Sequence, residues 1–158
     1  MLRVDIRDLQ RGPVKTVGEL GPGDPAFQGL DLDLDGPVQV KGQLQATGQG
    51  EYLWRGHIHG KVRGECRRCL TEVLDPVDVH VGAAVFSTDP EAADDPDFYP
   101  LPERAVAVDV SEVVREELAL AAHAQLLLCR EDCAGLCPRC GADLNAGPCE
   151  CQPPAEPV

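Results

Sequence analysis

The chain has 158 residues, a formal net charge of −13 and eight cysteines, and only 4% of it is aromatic. That length suits one domain, or one domain with a small appendage, around a core of Val, Leu and Ala. No stretch approaches the roughly 20 apolar residues of a membrane span, and the opening MLRVDIRDLQ lacks the apolar run of a secretory signal, so a soluble protein of the reducing cytoplasm is expected.

In chain order, residues 1–36 are mixed. VDIRDL reads as a short strand, and the Gly- and Pro-rich GELGPGDPAFQG reads as a loop. Residues 38–86 carry strand-like alternation in VQVKGQLQA, YLWRGHIHGKVRG and VDVHVGAAVF, which predicts a sheet. His57 and His59 fall on one strand face, but no carboxylate or third histidine joins them locally, so they are not read as a metal site. Residues 87–103, STDPEAADDPDFYPLPE, are acidic and rich in proline and predict a mobile loop without the spacing of a calcium site.

A helix is predicted over about 110–125. Asp109-Val110-Ser111-Glu112 resembles a capping box in which Asp109 accepts from the Glu112 amide. Val110, Val113, Val114, Leu118, Ala121 and Ala122 make an apolar stripe at helical spacing that should pack on the sheet. His123 near the helix end reads as structural.

The most specific chemistry follows the helix. Six of the eight cysteines lie in CREDCAGLCPRCGADLNAGPCEC, from Cys129 to Cys151. A tetrahedral zinc site needs four soft ligands, and CxxC at a tight turn brings two sulfurs to one ion. Cys137 and Cys140 have that spacing; Pro138 stiffens the turn, and Gly141 can take a positive φ. Cys149 and Cys151, spaced CxC, are the expected completing ligands. Cys129, Cys133, Cys66 and Cys69 are further candidates, and eight thiols suit either two four-thiolate sites or one site with spares. Four sulfurs close the coordination shell, which points to structural Zn2+ rather than catalysis.

Charge is unevenly distributed. Between Trp54 and Leu70, Arg55, Lys61, Arg63, Arg67 and Arg68 face Glu65 alone, while acids gather at Asp31, Asp33 and Asp35 and in the 87–103 loop. The five basic residues form a candidate surface for RNA or an acidic partner. No phosphate-binding GxxxxGK[ST] loop and no GxSxG elbow is present, so neither an enzymatic activity nor a small-molecule substrate is expected.

CRRCL (Cys66 to Leu70), the acidic loop, VDVSEVVREELAL and the cysteine tail together resemble the YceD family, described as large ribosomal RNA subunit accumulation proteins. The resemblance covers roughly residues 38–151. It implies a non-catalytic role in accumulation or maturation of large-subunit ribosomal RNA, with that RNA, a pre-ribosomal particle or a ribosomal protein as partner. The alternative is a zinc-stabilised adaptor that engages a ribosomal protein or an RNA-processing enzyme.

The expected architecture is α+β: an antiparallel β-sheet or partly open barrel packed by one main helix, with a C-terminal cysteine-rich zinc-binding tail. Its expected parts are a domain over 1–128, a metal-binding tail over 129–151 and a disordered end over 152–158.

Overall fold

The longest alternating runs of the sequence form one long hairpin. In a computed structural model of the chain, which describes residues 2–151, the strands are β1 (Arg3–Asp5), β2 (Val14–Leu20), β3 (Asp33–Leu34), β4 (Val38–Gly48), β5 (Glu51–Glu65), β6 (Glu72–Ser87), β7 (Phe98–Pro100) and β8 (Ala107–Asp109). Two helices accompany them, α1 (Ile6–Leu9) and α2 (Ser111–Ala124). The C-terminal segment 152–158, expected to be disordered, lies outside the described residues.

The main sheet runs β2-β4-β5-β6-β7, with β3 beside β5 beyond the end of β4, and β1 pairs with β8 in a separate ribbon. Every pairing is antiparallel except that of β6 with β7. The sheet is open and not closed into a barrel, and one main helix, α2, packs on it against β6 and β5. Among the described residues no helix is long and apolar enough to cross a membrane.

Alternation decides which side is core. On β5, Tyr52, Trp54, Ile58 and Val62 point inward and are buried, while Arg55, His57, His59 and Lys61 point outward and are exposed. The α2 stripe meets this inner face through Val110, Val113, Val114 and Leu118, all fully buried. Trp54 anchors the centre: its indole Nε1 donates to Thr16 Oγ1 at 2.8 Å, so neither buried polar group is left unpaired. The ring lies over the paired Gly42 and Gly56, and a Cβ at Gly42 would stand 2.7 Å from the indole nitrogen. Glycine is needed there because the tryptophan occupies the space of a side chain.

Three local expectations are corrected. The first concerns residues 1–36, where β2 is a full strand of the sheet that takes in part of the expected loop. Its inward positions include Thr16 and Gly18, so no apolar alternation announced it.

The second concerns the acidic segment 87–103, which is not a structureless loop. Asp89 caps a 3₁₀ turn over Pro90–Asp94 by accepting from the Glu91 amide at 3.0 Å, and Asp95 accepts from the Asp97 amide at 2.9 Å. The chain then adds β7, and Tyr99 packs on Phe86 with ring centroids 5.2 Å apart.

The third concerns the start of α2, which has Val110 at its N-cap and no side-chain cap. Asp109 stands one residue earlier and accepts from the Ser111 amide at 2.9 Å, not from Glu112. From the same helix Arg115 reaches across to the carbonyls of Ala26 (2.7 Å) and Gln28 (2.6 Å) and ties down the N-terminal loop.

Candidate metal centres and basic sheet face

The β5–β6 hairpin extends past the edge of the sheet as a two-stranded arm, and its tip is the CxxC turn of Cys66 and Cys69. There the Leu70 amide donates to the Cys66 carbonyl at 2.9 Å, and Leu70 takes φ 63°. The tail repeats the arrangement: the Gly141 amide donates to the Cys137 carbonyl at 2.9 Å, and Gly141 takes φ 74°. CRRCL and CPRCG are thus two copies of one knuckle. Only the second carries the glycine that its left-handed residue favours.

The segment after α2 runs back along the arm. Gln125 Nε2 donates to the Pro76 carbonyl at 3.3 Å, and the Leu127 carbonyl accepts from the Arg67 amide at 2.9 Å. This path delivers Cys129 and Cys133 to the hairpin knuckle through turns rather than a helix continuing at their four-residue spacing. The Sγ atoms of Cys66, Cys69, Cys129 and Cys133 all lie within 4.8 Å of one another, and so do those of Cys137, Cys140, Cys149 and Cys151. Each tetrad can hold a metal ion. Val73, Leu128 and Leu136 pack around the first as a small satellite core.

The donor geometry fits a soft divalent ion. A tetrahedron of sulfurs at the usual Zn–S distance of about 2.3 Å has an edge of about 3.8 Å. The Cys66–Cys133 separation is 3.8 Å and the Cys69–Cys129 separation is 3.6 Å, and all eight cysteines are free of disulfides. Thiol acidity is polarised in both tetrads. The backbone N–H of Cys129, then that of Cys69, lowers the Cys66 thiol to about 6, while the Cys69 side chain and then burial push Cys129 up to about 12. In the tail the amides of Cys140 and Arg139 lower Cys137 to about 6, and the Cys140 side chain and then burial push Cys151 up to about 12. Four thiols gathered this closely oppose their own joint ionisation. A bound cation relieves that opposition.

The basic candidates divide in a way that spacing alone did not reveal. Arg63 stands among three carboxylates, at 2.7 Å from Asp35, 3.4 Å from Glu72 and 3.8 Å from Asp33. Arg68 donates from its guanidinium to the carbonyls of Glu131 (3.2 Å) and Cys133 (3.0 Å), holding the tail against the hairpin tip. Arg67 is exposed beside it, on the knuckle. Arg55 and Lys61 remain on the outward sheet face.

Strand pairing adds neighbours to Arg55. Val17, Lys41, His57 and His80 form one row across β2, β4, β5 and β6, and Lys15, Gln43 and Arg55 form the next. Together they line a shallow depression of about 440 Å³. None of Lys15, Lys41 and Arg55 forms an ion pair among the described residues. Sequence reading missed Lys15, Lys41 and His80 because they lie on other strands; the signal was their outward parity in runs whose pairing was unknown. The same pairing supplies the carboxylate not found locally for the histidines. Asp78 Oδ1 lies 2.8 Å from His57 Nε2 and 3.2 Å from His59 Nδ1.

Fold and site together define a sheet-and-helix protein whose C-terminal part is organised by two four-cysteine clusters. Residues 54–157 match the family model described as "Large ribosomal RNA subunit accumulation protein YceD", and the chain belongs to that family. It is also similar to the uncharacterized proteins Rv2926c and MT2996 of Mycobacterium tuberculosis and Mb2951c of Mycobacterium bovis. Each is 31% identical over 146 residues, covering 91% of this chain and 65% of the relative's length. No solved structure matches the chain.

Proposed function

We propose that this protein is a non-catalytic, cytoplasmic factor for accumulation and maturation of large-subunit ribosomal RNA, and that it engages the RNA within a pre-ribosomal particle through the outward face of its sheet. The family description supplies the role. The observation that carries the contact is the cluster of Lys15, Lys41 and Arg55, cations without an ion pair among the described residues, on two adjacent cross-strand rows beside His57 and His80. An open face with spaced cations fits a phosphate backbone, while the net charge of −13 over the whole chain disfavours nonspecific adhesion elsewhere. Lys61 extends this face, and Arg67 offers a second contact at the hairpin tip. Arg63 and Arg68 serve the fold.

Both cysteine tetrads hold structural Zn2+ in this reading. Four thiolates satisfy the ion and leave no open position for substrate, so the metal shapes the tail and performs no chemistry.

The test is salt-titrated binding of the purified chain to transcribed large-subunit ribosomal RNA. Three to five phosphate contacts predict that log affinity falls with log salt with a slope of about −2 to −4. Lys15→Glu, Lys41→Glu and Arg55→Glu combined should abolish binding, whereas Arg63→Ala should leave the slope unchanged. Absence of RNA binding at low salt, with capture of a ribosomal protein that survives nuclease, would favour the adaptor reading instead.

A further inference from the structure

The two tetrads share one scaffold. Leu136 packs against the hairpin tetrad and donates its amide to the Arg68 carbonyl at 3.0 Å, and it also pairs with Asp143 across the tail knuckle, where the Cys137 amide donates to the Ala142 carbonyl at 2.8 Å and the Leu144 amide to the Gly135 carbonyl at 2.9 Å. Asn145 belongs to the loop between Cys140 and Cys149 that closes the tail tetrad, yet its side chain faces the other one. Its Oδ1 accepts from the Ala134 amide at 2.8 Å and from Arg130 at 2.6 Å, which fixes the carboxamide plane. Its Nδ2 then donates to Cys133 Sγ at 3.3 Å.

A donor aimed at a ligand sulfur draws charge from it and holds its orientation, and loss of such an outer partner typically weakens metal binding 10–100-fold. Cys133 is buried, with 4% of its surface exposed, so water does not replace this donor well. We propose that Asn145 is a positioning residue that couples the two metal sites: closure of the 141–149 loop around a metal in the tail tetrad presents the carboxamide to Cys133 and strengthens metal retention in the hairpin tetrad. Coupling of this kind is reciprocal, so a filled hairpin tetrad also favours the tail site. The inference rests on the reading that both tetrads bind a thiophilic divalent metal.

Cadmium-113 substitution of the full chain, read by NMR, tests it. Two resonances are expected, assigned by their loss in Cys66→Ser and in Cys137→Ser. Titration with a chelator should remove the hairpin resonance of Asn145→Asp at about 10-fold lower chelator than in the wild type. This variant keeps the acceptor oxygen, loses the N–H donor and adds a negative charge beside the sulfurs, so Asn145→Ala, which adds none, is read beside it. Asn145→Ala should act in the same direction, and the Cys137→Ser, Cys140→Ser pair should also weaken the hairpin site. Trp54 fluorescence reports independently that the sheet stays folded. Two resonances in the wild type, with the chelator resistance of the hairpin resonance unchanged in all three variants, would overturn the coupling alone. A wild-type chain that takes up no metal would overturn the underlying reading with it.

Discussion

Cys66 Sγ lies 3.8 Å from Cys133 Sγ, although 67 residues separate them. The contact joins the tip of the hairpin arm to the segment after α2, which otherwise has few apolar anchors. A metal there closes a long loop of chain, whereas the tail tetrad closes only a short one. Loss of the first should therefore free the whole segment after α2, and loss of the second only its end.

Paired serine variants separate these effects. Cys66→Ser with Cys69→Ser should lower metal content from about two to about one ion per chain and open residues from about 125 onward to proteolysis. Cys137→Ser with Cys140→Ser should expose mainly the end of the tail. Both should retain sheet and helix by circular dichroism, because Trp54, Leu44, Ile58 and Leu118 form a core apart from the sulfurs. Metal content near zero in the reduced wild-type chain would contradict this scheme.

The hairpin knuckle carries an avoidable strain. Leu70 sits at φ 63° with 57% of its surface exposed, so its side chain gains little from burial while its backbone bears a left-handed conformation. That conformation costs a residue with a Cβ about 1–2 kcal/mol. Leu70→Gly should raise the urea midpoint, and Gly141→Leu should lower metal retention in the tail. A fall in stability for Leu70→Gly would show that the leucine makes an energetically important contact.

Trp54 provides a test of the core. Thr16→Val preserves shape but leaves the indole N–H buried without an acceptor, which should cost about 1–3 kcal/mol. Equilibrium urea unfolding followed by Trp54 fluorescence measures it, and an unchanged midpoint would mean that the hydrogen bond contributes nothing net.

Tyr99 gives a pH signature. Burial, then its 2.9 Å hydrogen bond to Glu116, raises the Tyr99 phenol above its ordinary value. The fold favours the neutral form, so its contribution is complete below the unfolded value of about 10 and declines as pH rises beyond it. Between pH 8 and 10.5 the wild type should lose more stability than Tyr99→Phe. Equal losses would place the alkaline sensitivity elsewhere.

The parts legible in the sequence are those where one segment carries its own pattern. The outward and inward residues of β5 alternate without interruption, the α2 stripe has helical spacing, and CPRCG holds both its ligands and its turn residue. What escaped depends on partners distant in sequence or on polar substitutes in apolar positions. Thr16 satisfies Trp54 where alternation expects an apolar residue, Leu70 stands where a glycine would have marked the turn after Cys66 and Cys69, already candidate ligands, as plainly as in CPRCG, and Lys15 and Lys41 join Arg55 only once strand pairing is known. Arg63 and Arg68 show the converse: their charge is plain in the sequence, but the carboxylates and carbonyls that engage them are not.

The ratio of large- to small-subunit ribosomal RNA in cells tests the central claim most directly. Removing this protein from its native cell should lower the ratio. The wild-type chain should restore it, and the stably folded Lys15→Glu, Lys41→Glu, Arg55→Glu variant should not. An unchanged ratio on removal, or full restoration by that variant, would contradict the account.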